Sequence, residues 1–174
     1  MLFENGKIAS MEVENFMVFH DLKLDFSERI NVISGENATG KTVLLKLLYA
    51  SLKSIVNTQK EKNPNKENRE KNFVEKFQGV FRPDENNIGR LVNRKQGTNT
   101  TRISIGFSNQ SRDRCDIEFN SRQKNHMDIT YSRDVTSLFR FEPIYIPPKE
   151  IISSTENFGS LYRDYQIAFE RNLC

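Results

Sequence analysis

The chain has no tryptophan, two cysteines, two histidines and five prolines in 174 residues. Cys115 and Cys174 stand alone, far apart in sequence. That excludes a disulfide scaffold or a cysteine-based zinc site and makes a reducing cytoplasm the expected setting. His20 and His126 have no ligand-like neighbours and read as ordinary surface or edge residues. No run approaches the ~18 consecutive apolar residues of a membrane span, so no membrane partner is expected. Met1-Leu2-Phe3-Glu4-Asn5 lacks the basic start and long apolar core of a signal peptide. Charge of one sign is also scarce: 26 basic against 23 acidic residues give a formal net charge of +3, too small to identify a nucleic-acid binder. Apolar residues make up 36% and charged ones 28%, an apolar share below that of a compact domain. A lobe that pairs with another lobe would have this balance.

Against these absences stands one dense motif, Gly35-Glu36-Asn37-Ala38-Thr39-Gly40-Lys41-Thr42. It fits G-x-x-x-x-G-K-[ST], the phosphate-binding loop of nucleoside triphosphatases. Arg29-Ile30-Asn31-Val32-Ile33-Ser34 precedes it and predicts a short buried strand. Val43-Leu44-Leu45-Lys46-Leu47-Leu48-Tyr49-Ala50 follows it and predicts a helix. An accidental glycine turn would not be framed in this way. The chemistry accounts for each position. A triphosphate is a dense anion, and backbone N–H groups at a helix N-terminus bind it without a bulky side chain in the way. Gly35 and Gly40 let the chain curl close to the phosphates. Lys41 brings a point charge to the β- and γ-phosphates. The Thr42 hydroxyl suits Mg²⁺, which prefers oxygen ligands. The candidate nucleotide-binding residues are therefore Gly35, Glu36, Asn37, Ala38, Thr39, Gly40, Lys41, Thr42 and Val43, with Thr42 as metal ligand and ATP and Mg²⁺ as cofactors.

About thirty residues precede the loop, and they are patterned. Lys7 to Val13 reads as a strand, and Asp21-Leu22-Lys23-Leu24-Asp25-Phe26 alternates as a half-buried strand does. Between them lies Glu14-Asn15-Phe16-Met17-Val18-Phe19-His20. This order of strand, Asn-Phe, strand and G-x-N-x-x-G-K-T resembles the N-terminal lobe of ABC-type ATPase heads of the SMC, RecN and RecF kind. It is similar also to OLD-like and anti-phage ATPases. The matching positions are Asn15 and Phe16, Asn37, and the loop from Gly35 to Thr42. Two positions depart from the pattern. Ala38 replaces a glycine common in these loops, and it fits if its φ is negative. Met17 stands where the families often carry Lys or Arg. The resemblance is specific over residues 7–56.

It implies an α/β, P-loop, ABC-type N-terminal lobe with an added antiparallel β-subdomain. It also implies parts that the sequence does not show. A Walker B strand ends in Asp-Glu, and a signature loop closes on the partner's nucleotide. Asp116-Ile117-Glu118 follows Arg-Asp-Arg-Cys rather than an apolar run, and Phe141 to Ile146 ends in Pro147-Pro148. The chain reads as one half of a split or truncated head, completed by a C-terminal ATPase lobe or a homodimer partner. Its expected role is ATP–Mg binding in DNA repair or anti-phage defence. The alternatives are a non-hydrolysing interaction module and a small P-loop kinase.

The whole chain, 1–174, reads as a single ATP-binding domain, with the P-loop lobe at 1–56. Residues 58–72 contain no apolar side chain and predict a mobile charged insertion. Phe73, Val74, Phe77, Val80 and Phe81 suggest a short helix, in which Gln78 is a weak candidate for a magnesium-sensing glutamine. Arg82, Arg90, Arg94 and Lys95 form a basic cluster near a glycine turn. From about 100 to 131 the period changes to two: Arg102 to Phe107, Cys115 to Phe119 and Met127 to Tyr131 predict an antiparallel meander with one wet face. Arg102, Arg112, Arg114, Arg122, Lys124 and Arg133 on it suggest nucleic-acid contact through the β-subdomain. Residues from about 141 to 174 predict a core strand, with Lys149-Glu150 just beyond it, and an amphipathic terminal helix.

Overall fold

A computed structural model describes residues 7–60, 65–93, 99–107, 113–131 and 142–146. The expected terminal helix, Lys149-Glu150, Arg94, Lys95, Arg112 and Arg133 lie outside the described residues.

Five strands form one antiparallel sheet: β1 (Ile8–Phe16), β2 (Phe19–Asp25), β3 (Thr100–Phe107), β4 (Asp113–Asn120) and β5 (Asp128–Tyr131), in the order β2-β1-β3-β4-β5. The meander predicted from 100 onward is therefore continuous with the N-terminal hairpin, because β3 pairs with β1. Register follows the alternation. Val13 faces Leu22 and Ile103, and Ile103 faces Ile117, so apolar residues line one face. That face, with Met11, Val13, Ile103, Ile105, Phe107, Cys115, Ile117, Phe119 and Ile129 buried, joins one core with the helices. A one-residue slip would turn this whole set to solvent, so burial fixes the pairing.

The helix after the loop, α1 (Lys41–Gln59), is buried on most of its surface beyond Leu44. Its buried Ser54 and Thr58 hydroxyls donate to the Ala50 and Ser54 carbonyls at 2.8 and 3.0 Å, so their polarity costs little. A second helix, α2 (Lys66–Phe81), packs against α1. It occupies the second half of the charged insertion expected to be mobile, and residues 61–64 lie outside the described residues. Three local devices explain the helix where apolar residues are missing. Asn65 accepts from the Asn68 backbone N–H at 2.7 Å, Glu67 sits in the first turn, and Lys66–Glu70 and Lys71–Glu75 pair one turn apart. The buried stripe of Phe73, Val74, Phe77 and Val80 then anchors it.

Two expected strands are not formed. Residues 29–34 join no strand ladder among the described residues, and Ile30 and Val32 are 81% and 86% exposed. Residues 142–146 are extended and likewise unpaired. Pro143 is buried and the Tyr145 ring meets Tyr49 of α1, with centroids 5.8 Å apart, while Ile144 and Ile146 point outward. A core strand needs neighbours on both edges and cover on both faces. The described residues give 29–34 no strand neighbour and only the Ile33 side chain a place against the core, and they cover only one face of 142–146.

Candidate nucleotide-binding site

The loop opens directly into α1. Gly40 is the N-cap, with φ 92° and ψ 8°, a left-handed conformation that favours glycine. Space enforces the same choice: a β-carbon at Gly40 would lie 2.6 Å from Val18 Cγ2 and 2.9 Å from Phe19 Cζ. The tip of the β1–β2 hairpin therefore rests on the glycine that starts the helix. The Lys41 ammonium curls back into the loop and donates to the Gly35 carbonyl at 2.7 Å and the Glu36 carbonyl at 2.5 Å. Thr39 Oγ1 donates to the same Glu36 carbonyl at 2.9 Å. Thr42 is exposed in the first turn, beside Val43. The structure thus gathers Gly35 to Val43 around the N-terminal end of one buried helix.

Ala38 departs from expectation. Its φ is +64°, not negative. An alanine there carries the left-handed penalty of about 1–2 kcal/mol. Ala38→Gly should relieve it, minus the chain entropy of glycine in the unfolded state, about 0.4–1 kcal/mol. The net expectation is a gain of roughly 0.5–1 kcal/mol in urea denaturation. A less stable variant would show that the left-handed geometry is not strained.

The hairpin tip is held by a clamp that sequence reasoning missed. Asn15 and Met17 both have positive φ, 52° and 47°. The Met17 N–H donates to Leu91 O at 2.7 Å, and the Asn93 amide donates to Met17 O at 2.7 Å. Asn15 Nδ2 donates to Thr100 O at 3.2 Å, while Asn15 O accepts from Thr101 Oγ1 at 2.6 Å and Asn93 N–H at 2.8 Å. Asparagine tolerates the left-handed region, which accounts for Asn15. Phe16, fully buried, meets Phe77 and Phe81 edge-to-face at centroid distances of 6.4 and 5.2 Å. Asn15 and Phe16 thus fix where the tip meets the loop. Nothing in the residues around Leu91 to Asn93 signals their part.

Other candidates fall elsewhere. Gln78 donates to Asn86 O at 2.6 Å and Asn125 Oδ1 at 2.9 Å, so it ties a turn to the β4–β5 connection. Glu118 accepts from Arg102 at 3.2 Å on the outer sheet face. His126 sits between Glu70 and Asp128 at 3.6 and 3.4 Å.

Two of the basic residues expected to meet nucleic acid sit beside carboxylates. Arg102 lies between Glu14 and Glu118, and Arg114 donates to Asp116 at 2.7 Å. The outer face around them carries four carboxylates, Glu12, Glu14, Asp116 and Glu118, against these two guanidinium groups. A face with an acidic excess attracts a phosphate backbone less than the spacing of Arg102 and Arg114 alone would suggest.

A glycine loop capping a buried helix, beside an antiparallel sheet and a clamped Asn-Phe hairpin, is an arrangement that suits an ATPase domain. The profile of the AAA ATPase domain family (AAA_15) matches residues 7–171, and the chain belongs to that family. Segments of it are similar to the DNA replication and repair protein RecF of Clostridium acetobutylicum, 31% identical over 68 residues, and of an Exiguobacterium species, 48% over 42 residues. Another is similar to the structural maintenance of chromosomes protein 6 of Dictyostelium discoideum, 45% over 49 residues. These segments cover 38%, 24% and 28% of the chain but 19%, 11% and 4% of the relatives' lengths. The solved structure of the recombination mediator protein RecF-ATPrS in the RecFOR pathway aligns with 83% of the chain and 33% of its own, at a TM-score of 0.46 and 17% identity. Among the described residues no helix is long and apolar enough to cross a membrane.

Proposed function

We propose that the chain binds ATP–Mg²⁺ through Gly35 to Thr42, as the N-terminal lobe of an ATPase that acts in DNA repair or anti-phage defence. The observation that carries this reading is the Gly40-capped start of α1 with the Lys41 ammonium held inside the loop. That ammonium sits on the Gly35 and Glu36 carbonyls. Phosphate oxygens would draw it from them and would also accept the N–H groups at the start of α1. The donor set fits Mg²⁺ in part. Thr42 offers one exposed hydroxyl, and an ion that keeps several waters needs few protein ligands. Bound Mg²⁺ would neutralise charge developing between the β- and γ-phosphates. RecF as a DNA repair protein supports the pathway, and the OLD-like resemblance of the loop region supports the anti-phage alternative.

The second half of the machinery comes from another lobe in this reading. Among the described residues no apolar strand ends in Asp-Glu, and Ile30, Val32, Ile144 and Ile146 lie open to solvent. A C-terminal lobe, or a partner, would cover them and add the metal carboxylate and signature loop. Holding the ground state and the transition state equally gives no rate, so the chain by itself should bind ATP–Mg²⁺ in a calorimetric titration yet release negligible phosphate. No heat of binding would refute the nucleotide site. Robust, Lys41-dependent turnover by the chain alone would refute the divided machinery and make Glu118 or Glu150 the first carboxylate to replace. The open apolar residues also favour a second reading, a non-hydrolysing interaction module, which the same titration separates because it requires no ATP.

A further inference from the structure

We infer that Asn93 is a positioning residue for the phosphate-binding loop, acting through the tip of the β1–β2 hairpin, an inference that rests on the nucleotide site just proposed. Asn93 reaches both sides of Phe16. Its backbone N–H donates to Asn15 O at 2.8 Å, and its side-chain amide donates to Met17 O at 2.7 Å. Between these bonds Phe16 bridges Val92. Asn15 and Met17 hold left-handed φ values of 52° and 47°. Residues with a β-carbon disfavour that region, and a turn built on two of them persists where its surroundings over-determine it. Met17 is held by its N–H on Leu91 O and by the Asn93 amide on its carbonyl, and the second of these bonds comes from a side chain.

Both ends of this link are fixed. Upstream, the short 3₁₀ turn Ile88–Leu91 is tied to the β4–β5 connection. The Ile88 N–H donates to Lys124 O at 3.1 Å, and the Gly89 N–H donates to Gln123 O at 3.0 Å. Gly89 is packed so closely there that a β-carbon would lie 2.6 Å from Ser121 O. Downstream, Val18 and Phe19 follow Met17 directly and rest on Gly40. Gly40 starts α1 with no side-chain cap hydrogen bond, so packing holds the helix start in place. The Asn93 amide therefore joins a base anchored on the sheet to the residue before Lys41. The N–H groups and Lys41 meet phosphate oxygens well only when they are aimed, and groups behind a site set that aim.

The test is titration of the unaltered chain, Asn93→Ala and Asn93→Asp with inorganic tripolyphosphate–Mg²⁺ and with ATP–Mg²⁺, paired with urea denaturation. Aspartate keeps the shape but, ionised, cannot donate to Met17 O. Each variant should weaken both ligands by the same factor, about fivefold, which is the equivalent of one neutral hydrogen bond. An equal factor is the signature of the loop, because tripolyphosphate has no nucleoside. Ile129→Val is the control. Ile129 is buried on β5, the edge strand farthest from β2, and its shortening should lower stability to a similar extent with both affinities unchanged. Unchanged affinity in the Asn93 variants, weakening confined to ATP, or equal weakening in Ile129→Val would overturn the role of Asn93 while leaving the phosphate loop in place. If Asn93→Ala fails to fold, the isosteric aspartate carries the same outcomes. Failure of the unaltered chain to bind either ligand would overturn the nucleotide site and the positioning role together.

Discussion

Lys41→Ala should cost the chain roughly 100-fold in ATP–Mg²⁺ affinity while leaving it folded. The reason is a difference in what the ammonium does in each state. In the structure it donates to two backbone carbonyls, Gly35 and Glu36. In the loaded loop of the proposed site it would meet phosphate oxygens, which carry full charge. Hydrogen bonds to charged groups contribute about 1.5–3 kcal/mol each, and the upper end corresponds to about two powers of ten in affinity. Alanine leaves the helix start intact, because Gly40 and not Lys41 caps α1. The stability change should stay within about 0.5 kcal/mol, as for other substitutions outside the core. Calorimetric titration with ATP–Mg²⁺, paired with urea denaturation, separates the two quantities. Equal affinity in the two proteins would remove Lys41 from the site, and a large loss of stability would show that the lysine–carbonyl contacts hold the loop's shape.

The loop was readable from sequence because its chemistry fixes residue identity: small residues for close approach, one cation, one hydroxyl. β1, β2 and the three later strands were readable because a sheet with one wet face imposes a period of two. Ile30 and Val32 misled for a related reason. Their pattern specifies a strand, but a strand also needs partners, and the described residues hold none for it. Lys66 to Asn72 misled in the opposite direction. The absence of apolar residues suggested a mobile linker, yet the Asn65 cap and paired charges start a helix that Phe73 and Phe77 then bury. Arg102 and Arg114 show a third limit. Their spacing suggested a phosphate-binding surface, but Arg102 lies between Glu14 and Glu118 of the neighbouring strands, and cross-strand register is invisible in a local window, whereas Arg114 pairs with Asp116 of its own strand. Ala38 shows a fourth, since nothing in a sequence reveals the sign of one φ.

Lys76→Met should raise stability at neutral pH, and the gain should shrink as the solution becomes alkaline. Lys76 lies on α2 with 3% of its surface exposed, and its ammonium stands 5.7 Å from the centre of the Tyr49 ring. Burial, reinforced by the nearby Lys53 charge, pushes its pKa down from 10.5 to about 8. The charged form is thus disfavoured in the folded chain relative to the unfolded one. Below pH 8 both states hold the proton, and folding bears the whole penalty, up to about 3 kcal/mol at 1.36 kcal/mol per pKa unit. Between pH 8 and 10.5 the unfolded chain holds more protons than the folded one, so stability rises with pH. Above 10.5 the penalty is gone. Lys53 and Lys46 have pKa values lowered in the same direction, and Tyr145 has one raised, so the unaltered chain's own pH profile is a composite. Comparison with Lys76→Met isolates the one residue. Methionine keeps most of the stem's apolar contact but gives up the ammonium's polar contacts, among them the ring attraction of about 0.5–2 kcal/mol. The net gain at pH 7 should be roughly 1–2 kcal/mol, measured by urea denaturation at pH 7 and again at pH 10. A variant that is less stable at pH 7, or a difference that does not fall by pH 10, would mean that the buried ammonium is stabilised by its surroundings rather than penalised by them.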